Sequence, residues 1–171
     1  MRTGSAGPRS IAKQCGGSID GDAIAGGIAY ELYPASRTGL VTYMVVAPPF
    51  RRAGVGKRMQ SDAVAELSAR GARAVFGEID DPRTRGESAR LRLARNQRWG
   101  ARVVDTRYVQ PALGPGLERD RDLILIALSP RGDTLPGEVV DGFIRELYLA
   151  TEGGPPDPEI AVPQVVRLVE W

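Results

Sequence analysis

The residues whose types and spacing favour a chemical role lie in one short basic loop that contains two glycines. The loop belongs to the segment VAPPFRRAGVGK, Val46 to Lys57, and it follows an apolar run, Leu40 to Ala47, that predicts a buried strand. Glycines allow a ligand close to the backbone, and the first turn of a helix leaves about four N–H groups without intrahelical partners. Arg51, Arg52 and Lys57 add positive charge. The segment therefore predicts a phosphate-binding loop.

Two common phosphate-binding patterns match this loop only in part. A P-loop requires Gly-x-x-x-x-Gly-Lys-Ser/Thr, but Arg51 stands at the first glycine and Arg58 at the hydroxyl residue, which excludes it. A dinucleotide fingerprint requires Gly-x-Gly-x-x-Gly. Gly54 and Gly56 match that fingerprint, whereas Met59 replaces the third glycine. A nicotinamide-dinucleotide-binding domain therefore stays open as an alternative.

A third pattern fits the loop in full. Arg-x-x-Gly-x-Gly, from Arg51 to Gly56 after a strand and Val-x-Pro, resembles the acetyl-CoA signature of the GCN5-related N-acetyltransferases (GNAT). The order of predicted elements from Ala23 to Leu128 is also similar to that family. The resemblance implies a mixed α/β (α+β) fold. Its central mixed sheet is flanked by helices and splays after the strand Leu40–Ala47, which leaves a V-shaped cleft.

The resemblance also implies a cofactor and a reaction. Acetyl-CoA (coenzyme A) is expected in the cleft, where an amine would attack the thioester directly in a ternary complex. A strand N–H near Val45 would stabilise the oxyanion. Backbone groups of β-strand residues would pair with the pantetheine arm, and those of the loop would hold the pyrophosphate. The cofactor-binding residues implied in this way are Met44, Val45, Val46, Arg51, Arg52, Ala53, Gly54, Val55, Gly56 and Lys57.

Two features depart from the family pattern. Asn96 stands where many members have a tyrosine that protonates the CoA thiolate, and Ala89 stands where they have an asparagine. An asparagine can hydrogen-bond the sulfur but cannot supply the proton. In addition, only about 20 residues precede the predicted hairpin, where family members usually carry a strand and two helices. These departures favour a second hypothesis, a non-catalytic CoA-binding or regulatory domain on the same fold.

The candidates for acid–base chemistry are few. Glu78 lies near the end of the predicted strand Ala74–Ile79 and is the candidate general base for the acceptor ammonium. Tyr43, and with it Tyr108, is a candidate acid, although tyrosines in strands more often pack in the core. Glu31 is a second carboxylate. For both carboxylates the structural alternative is an ion pair with an arginine. The predicted catalytic set is Glu78, Asn96 and Tyr43.

Composition limits the classes of function. The chain has 171 residues, a net charge of +2 and no histidine. The length predicts one domain, the small charge argues against nucleic acid as a partner, and the missing histidines exclude His-based triads and His-ligated metals. The single cysteine, Cys15, excludes a disulfide framework and a Cys-rich metal site. Neither a signal peptide nor a membrane helix is predicted, so a cytoplasmic protein that does not bind membranes is expected.

The remaining elements must position the loop and the carboxylates. Residues 1–20 are predicted to be a flexible arm, residues 21–130 the acyl-CoA-binding domain, and residues 131–171 a C-terminal helix and tail. A helix is expected from the glycines to about Arg70, and Glu87–Trp99 is a second helix with Leu91, Ala94 or Arg95, and Trp99 near one face. The apolar stripe of a third helix leaves a homodimer contact open. The acceptor is expected to be a small-molecule or peptide amine. The other predicted strands and helix are Ala23–Tyr33, Arg102–Val109, Leu123–Leu128 and Gly137–Ala150.

Overall fold

The computed structural model describes residues 12–20 and 23–171, which form one mixed sheet flanked by helices. The strand order is β1-β2-β3-β4-β6-β5-β8-β7, and within this part of the chain only β3 and β4 pair in parallel. The mixed α+β architecture predicted from the sequence is confirmed. The strands are β1 (Ala12–Asp20), β2 (Ala23–Tyr33), β3 (Thr38–Val46), β4 (Ala74–Asp80), β5 (Arg102–Val104), β6 (Leu123–Ala127), β7 (Thr134–Pro136) and β8 (Val165–Val169). The α-helices are α1 (Val55–Ala69), α2 (Pro82–Arg85), α3 (Glu87–Arg98) and α4 (Gly137–Thr151).

The crossover from β3 through α1 to β4 forms as the sequence predicts. Met59, Ala63 and Leu67 recur about one turn apart on α1 and are buried against the sheet. Gly71 follows the helix with φ +95°, a conformation that favours glycine and turns the chain back toward the sheet. The chain then enters β4 parallel to β3. This unit places the end of β3, the start of α1 and the end of β4 at one edge of the sheet.

The two faces of the sheet carry different helices. Helices α1 and α3 cover one face, and α4 covers the other. Phe143 of α4 packs edge-on against Tyr33, with ring centroids 5.4 Å apart. It also packs against the tilted ring of Phe76, with ring centroids 4.7 Å apart. The apolar stripe of α4, which left a dimer contact open, is therefore packed against the chain's own sheet. Within the described residues, no helix is long and apolar enough to cross a membrane.

Several elements differ from the sequence-based expectation. Residues 12–20, predicted as part of a flexible arm, form β1 and pair antiparallel with β2 over its whole length. The small and polar residues of this segment show no strand periodicity, so the sequence does not predict a strand. The segment forms one because β2 supplies its hydrogen-bonding partner. Residues 1–11 of the predicted arm lie outside the described residues. The strand expected over Arg102–Val109 ends at Val104, and β7 and β8 were not predicted.

The buried face of α3 differs from the face on which the sequence pattern groups Leu91. Leu91 is 63% exposed, whereas Ala89, Leu93 and Asn96 are buried. The helix is rich in arginine, so its orientation is decided by the small and apolar side chains that fit against the sheet, and Leu91 lies on the solvent side of that stripe. As a result, Asn96 faces inward.

The sheet splays between β3 and β4. The two strands pair only over four residues, from Thr38 with Ala74 to Val41 with Gly77. Pairing with β2 shifts by one residue at the same level, because Thr42 has no residue opposite it, and its Oγ1 donates to the carbonyl of Ala29 at 3.2 Å. Such a bulge bends a strand and increases its twist. The V-shaped cleft expected from the family resemblance is therefore present.

Candidate functional site

The cleft holds a cavity of about 410 Å³ between β3, β4, α1 and α3. Three residues predicted as catalytic from the sequence, Tyr43, Glu78 and Asn96, line this one cavity. They come from three different elements and are separated by up to 53 positions in the sequence, since 96 − 43 = 53. The splay of the sheet is what brings them together. Other lining residues are Met44, Gln60, Arg92 and Arg95.

The free edge of β3 presents alternate backbone groups to the cleft. Ala47 N donates to the Ala25 carbonyl at 2.9 Å, so its polar groups point toward β2. Alternation along an antiparallel strand then directs those of Val45 toward β2 and those of Met44 and Val46 into the cleft. A β-carbon added at Gly26, on β2, would lie 2.6 Å from the Val45 carbonyl oxygen, which agrees with that direction. Of the strand N–H groups near Val45, that of Met44 therefore faces the cleft.

The basic loop has the geometry of an anion cradle. Gly54 has φ +81° and Arg52 has φ +71°, both in the left-handed region. The first bond into α1 runs from Arg58 N to the Gly54 carbonyl at 3.0 Å. The N–H groups of Val55 to Lys57 precede that bond and point out of the helix end. The Ala53 N–H instead donates to the Phe50 carbonyl at 3.4 Å, so Ala53 closes the turn and does not add to the cradle.

Arg51 stabilises the junction between the strand and the loop. Its Nε donates to the Val46 carbonyl at 3.2 Å. The side chain thus fixes the loop to the edge of β3, while the rest of its guanidinium keeps its positive charge on the cleft side. Arg51 and Arg52 line a cavity of about 650 Å³ that continues from the cleft past Gly54 and Gly56.

Trp99 leaves little room for a side chain at Gly56. A β-carbon added at Gly56 would lie 3.1 Å from Trp99 Cη2 and 3.4 Å from Val46 Cγ2. The indole of Trp99 therefore forms a wall directly beside the first turn of α1, and the glycine keeps the backbone of that turn accessible. The sequence pattern groups Trp99 with Leu91 near one face of the helix and does not identify Trp99 as part of the site.

Arginines on α3 give this second cavity a positive wall. Arg95 and Arg98 line it together with Trp99, and the Arg95 guanidinium lies 5.4 Å from the Trp99 ring centroid. Burial lowers the pKa of Arg95, and the neighbouring charges of Arg92 and Arg98 lower it further. Cations that crowd one another in this way favour a polyanionic ligand. The residues present therefore fit the diphosphate of coenzyme A.

Glu78 has neutral hydrogen-bond partners on both oxygens. The Tyr108 hydroxyl donates a short hydrogen bond to Oε1, and Gln110 Nε2 donates to Oε2 at 2.8 Å. Burial raises the pKa of Glu78, these two hydrogen bonds oppose the increase, and the charges of Glu31 and Asp120 add to it. A carboxylate with a raised pKa is a stronger base than an exposed one.

Other buried acids of the chain are neutralised by arginine. Asp81 forms a bidentate pair with Arg83, whose Nε donates to Oδ1 and whose Nη2 donates to Oδ2, and Asp157 contacts Arg119 at 3.0 Å and Arg121 at 2.9 Å. The pKa of Asp81 and that of Asp157 are lowered, mainly by the hydrogen bonds they accept. Glu78 differs from both, because its charge is matched by phenol and amide donors. Such a group is suited to bind a cation or a proton that arrives with a substrate.

The remaining candidates are placed less centrally. Asn96 is 7% exposed, and its Nδ2 donates to the Arg92 carbonyl at 2.9 Å, so one of its amide hydrogens is engaged within the helix. Tyr43 is 65% exposed at the edge of the cavity. Glu31 accepts from the Tyr33 hydroxyl at 2.6 Å and acts on Glu78 through its charge.

Comparison with known proteins agrees with this geometry. Residues 8–87 match the family model described as the acetyltransferase (GNAT) family. An acetyltransferase described as GNAT-family from Bacteroides thetaiotaomicron is similar in structure, with a TM-score of 0.62, 22% identity, and coverage of 83% of this chain and 74% of that chain. A Bacillus subtilis acetyltransferase solved in complex with CoA has a TM-score of 0.52 and 19% identity, and the match covers 68% of this chain and 76% of that chain. An acetyltransferase described as GNAT-family from Desulfovibrio desulfuricans has a TM-score of 0.51 and 21% identity, and the match covers 68% of this chain and 67% of that chain. A search of curated proteins found no significant match.

The chain thus has the fold of the GNAT acetyltransferase structures, and residues 8–87 are similar to that family in sequence. The resemblance expected from Arg51 to Gly56 is confirmed by the family match, which includes this loop, and by the structures that share the fold.

Proposed function

We propose that this protein is an acyl-CoA-dependent N-acyltransferase that moves an acetyl group from acetyl-CoA to the amine of a small molecule or peptide. The observation that carries the proposal is the position of Glu78 in the cleft beside the glycine loop. This partly buried carboxylate accepts from neutral donors, Tyr108 and Gln110, on its two oxygens. Residues 21–130 would form the acyl-CoA-binding unit, with residues 131–171 packed against it.

The chain offers a continuous binding surface for coenzyme A. The edge of β3 at Met44 and Val46 would pair with the amide groups of the pantetheine arm, as an added strand would. The N–H groups of Val55, Gly56 and Lys57 would donate to the diphosphate, and the side chains of Arg51 and Arg52 would add charge to that contact. Trp99 would form the opposite wall of the cavity that holds the diphosphate.

The thioester supplies an activated acyl carbon for direct attack by an amine. An amine acceptor arrives as an ammonium ion and must lose a proton before it becomes a nucleophile. Glu78 is the base for that proton, because its pKa is raised from the ordinary value and its position in the cleft is fixed by Tyr108 and Gln110. The Met44 N–H is the backbone donor suited to stabilise charge on a carbonyl oxygen in the cleft.

The departing thiolate lacks the usual proton donor, because Asn96 stands where many family members have a tyrosine. The amide can donate a hydrogen bond through its second hydrogen but keeps that proton. Tyr43, which lines the same cavity, is the hydroxyl candidate for this role. This arrangement predicts an active but slow enzyme.

A second candidate function follows from the same residue. Asn96 in place of a tyrosine also favours a non-catalytic CoA-binding or regulatory domain. Both functions require CoA binding, so the two are separated by turnover alone. A nicotinamide dinucleotide remains a third ligand to test, because Gly54 and Gly56 match part of its fingerprint.

The first experiment is thermal unfolding with acetyl-CoA, CoA or NADH, one ligand at a time. A ligand at about 100 times its dissociation constant stabilises the folded state by roughly 2.7 kcal/mol. A shift with acetyl-CoA and CoA but not with NADH supports the CoA cleft, whereas a shift with NADH alone contradicts it. Release of free thiol with a panel of amines then distinguishes a transferase from a binding domain.

A further inference from the structure

A third cavity lies at the opposite end of β4 from Glu78. It has a volume of about 600 Å³ and is bounded by the turn between β2 and β3, the C-terminal end of α1, and the loop that follows β6. Ala74 and Val75, at the start of β4, form part of its floor. This cavity, here named the arginine pocket, is not used by the proposed reaction.

Among the residues that the structure describes, the lining of the arginine pocket includes three arginines and no acidic residue. The arginines are Arg37, Arg73 and Arg131. Arg37 Nε donates to the Gly71 carbonyl at 3.3 Å across the pocket. Arg73 contacts Glu138, which lies outside the lining and is 71% exposed, at 3.1 Å. Because that ion pair is open to solvent, it leaves much of the positive charge available to a ligand.

Hydroxyl groups line the same pocket. Ser68, Ser129 and Thr134 are among its lining residues. Guanidinium groups together with hydroxyl donors are the combination that recognises phosphate oxygens, because arginine presents several N–H groups in a planar fork. A concave site of this volume matches a small molecule better than an extended polymer.

Backbone strain marks the pocket independently of its charge. The described chain has three residues other than glycine with positive φ: Arg37 at 55°, Arg52 at 71° and Ser129 at 50°. Two of them line the arginine pocket, and the third lies in the proposed CoA loop. Such residues are uncommon and cluster at ligand-binding sites.

We propose that the arginine pocket binds the phosphate group of a small organic phosphate. Arg37 and Arg131 would contact the phosphate from two sides of the pocket, with Arg73 and the hydroxyl groups completing its coordination. The site is separate from the CoA cleft and does not depend on transferase activity.

The test uses the whole chain and two probes, ribose 5-phosphate and inorganic phosphate. Backbone amide signals are followed by NMR during titration at constant ionic strength. We expect saturable shifts at Gly71, Ser129 and Gly132, with ribose 5-phosphate binding more tightly than inorganic phosphate. The amides of Gly54 and Gly56 in the same spectrum report binding at the other loop, so the two sites are read separately.

Substitutions then assign the contact. Arg37→Gly removes the guanidinium and suits the positive φ, and Arg131→Gln removes a second charge. Each should weaken binding about tenfold, the effect of losing about 1.4 kcal/mol. Arg145→Gln is the matched control, because Arg145 is exposed on α4 and pairs with Asp141 away from the pocket.

Three results would overturn the proposal. The first is no saturable shift at the pocket amides with either probe. The second is equal affinity in Arg37→Gly, Arg131→Gln and Arg145→Gln. The third is binding of a short DNA or RNA oligonucleotide at these amides while neither phosphate probe binds, which would indicate a nucleic-acid surface instead.

Discussion

The phenol of Tyr108 donates a short hydrogen bond to the carboxylate of Glu78, 30 positions earlier in the chain. Tyr108 is 4% exposed, and burial, followed by the charge of Glu78, raises its pKa well above the ordinary value. The phenol therefore keeps its proton and remains a donor. This contact connects the loop after β5 with the end of β4 and opposes the increase that burial causes in the pKa of Glu78.

Removing that donor should shift the pH dependence of catalysis. The Tyr108 bond lowers the pKa of Glu78, so Tyr108→Phe should raise it further. The base acts in its deprotonated form, so the acidic limb of kcat/KM against pH should move to higher pH. The measurement is a pH–rate profile with the best acceptor amine, or the Glu78 carboxyl titration by NMR. Tyr33→Phe, which removes a hydroxyl bonded to Glu31, is the control and should leave the limb closer to wild type.

Glu78→Gln should separate chemistry from binding. The amide keeps the shape of the side chain but cannot accept the proton of the ammonium. We expect kcat/KM at neutral pH to fall by about 10²- to 10⁴-fold, the usual contribution of a general base. The dissociation constant for CoA, measured by calorimetry, should remain unchanged. A variant with wild-type turnover would show that Glu78 has only a structural role.

Gly56→Val should block the cradle through Trp99. The added side chain begins 3.1 Å from the indole, so the helix end must move or the indole must rotate into the cavity. Overpacking of this kind costs about 1–3 kcal/mol, and CoA affinity should fall with it. Gly154→Ala, where an added β-carbon meets no atom within 4 Å, is the control. The double variant Gly56→Val with Trp99→Leu should recover part of the affinity, whereas no recovery would indicate that the clash lies elsewhere.

Asn96→Tyr should increase turnover if the chain is a transferase limited by protonation of the thiolate. A positioned acid contributes about 10²- to 10⁴-fold at most, and we expect a gain in kcat toward the lower end of that range. Asn96→Phe has the same ring without the hydroxyl and should show no gain. Equal rates for the two variants would exclude this position as the site of a proton donor.

The network around Arg119 should stabilise the loop that carries Tyr108. Arg119 contacts Glu152 at 2.6 Å and the buried Asp157 at 3.0 Å, while Glu152 also accepts from the Ala112 N–H at 2.7 Å. Arg119→Gln leaves Asp157 with Arg121, so a loss of about 2 kcal/mol is expected in chemical unfolding. Arg145→Gln, on an exposed pair, should cost less than about 0.5 kcal/mol.

The sequence predicts the parts of the fold that carry local signals. The glycines that open α1, its buried stripe and the β-branched run of β3 are readable because periodicity and turn residues act over a few positions. The same signals place Gly54 and Gly56 at a helix end and Glu78 at a strand end, so half of the site follows from them.

The rest depends on contacts between distant segments. The partners of Glu78 lie in a loop without periodicity, so Tyr108 was only one of several candidate acids and Gln110 was not identified. The direction of Val45 depends on the bulge at Thr42, which no residue type in β3 indicates. Strand β1 forms because β2 offers an edge, although the residues of β1 alone give no such pattern.

The early end of pairing between β3 and β4 has a consequence for the protein without a ligand. Beyond Val41 and Gly77 the two strands no longer pair with each other, and the Val46 carbonyl on the β3 edge accepts from Arg51 Nε. An exposed edge is a template on which another extended chain can pair and start aggregation. Coenzyme A in the cleft would cover the β3 edge, so the purified protein should stay in solution longer when CoA is present, and the Met44 amide should exchange its hydrogen more slowly.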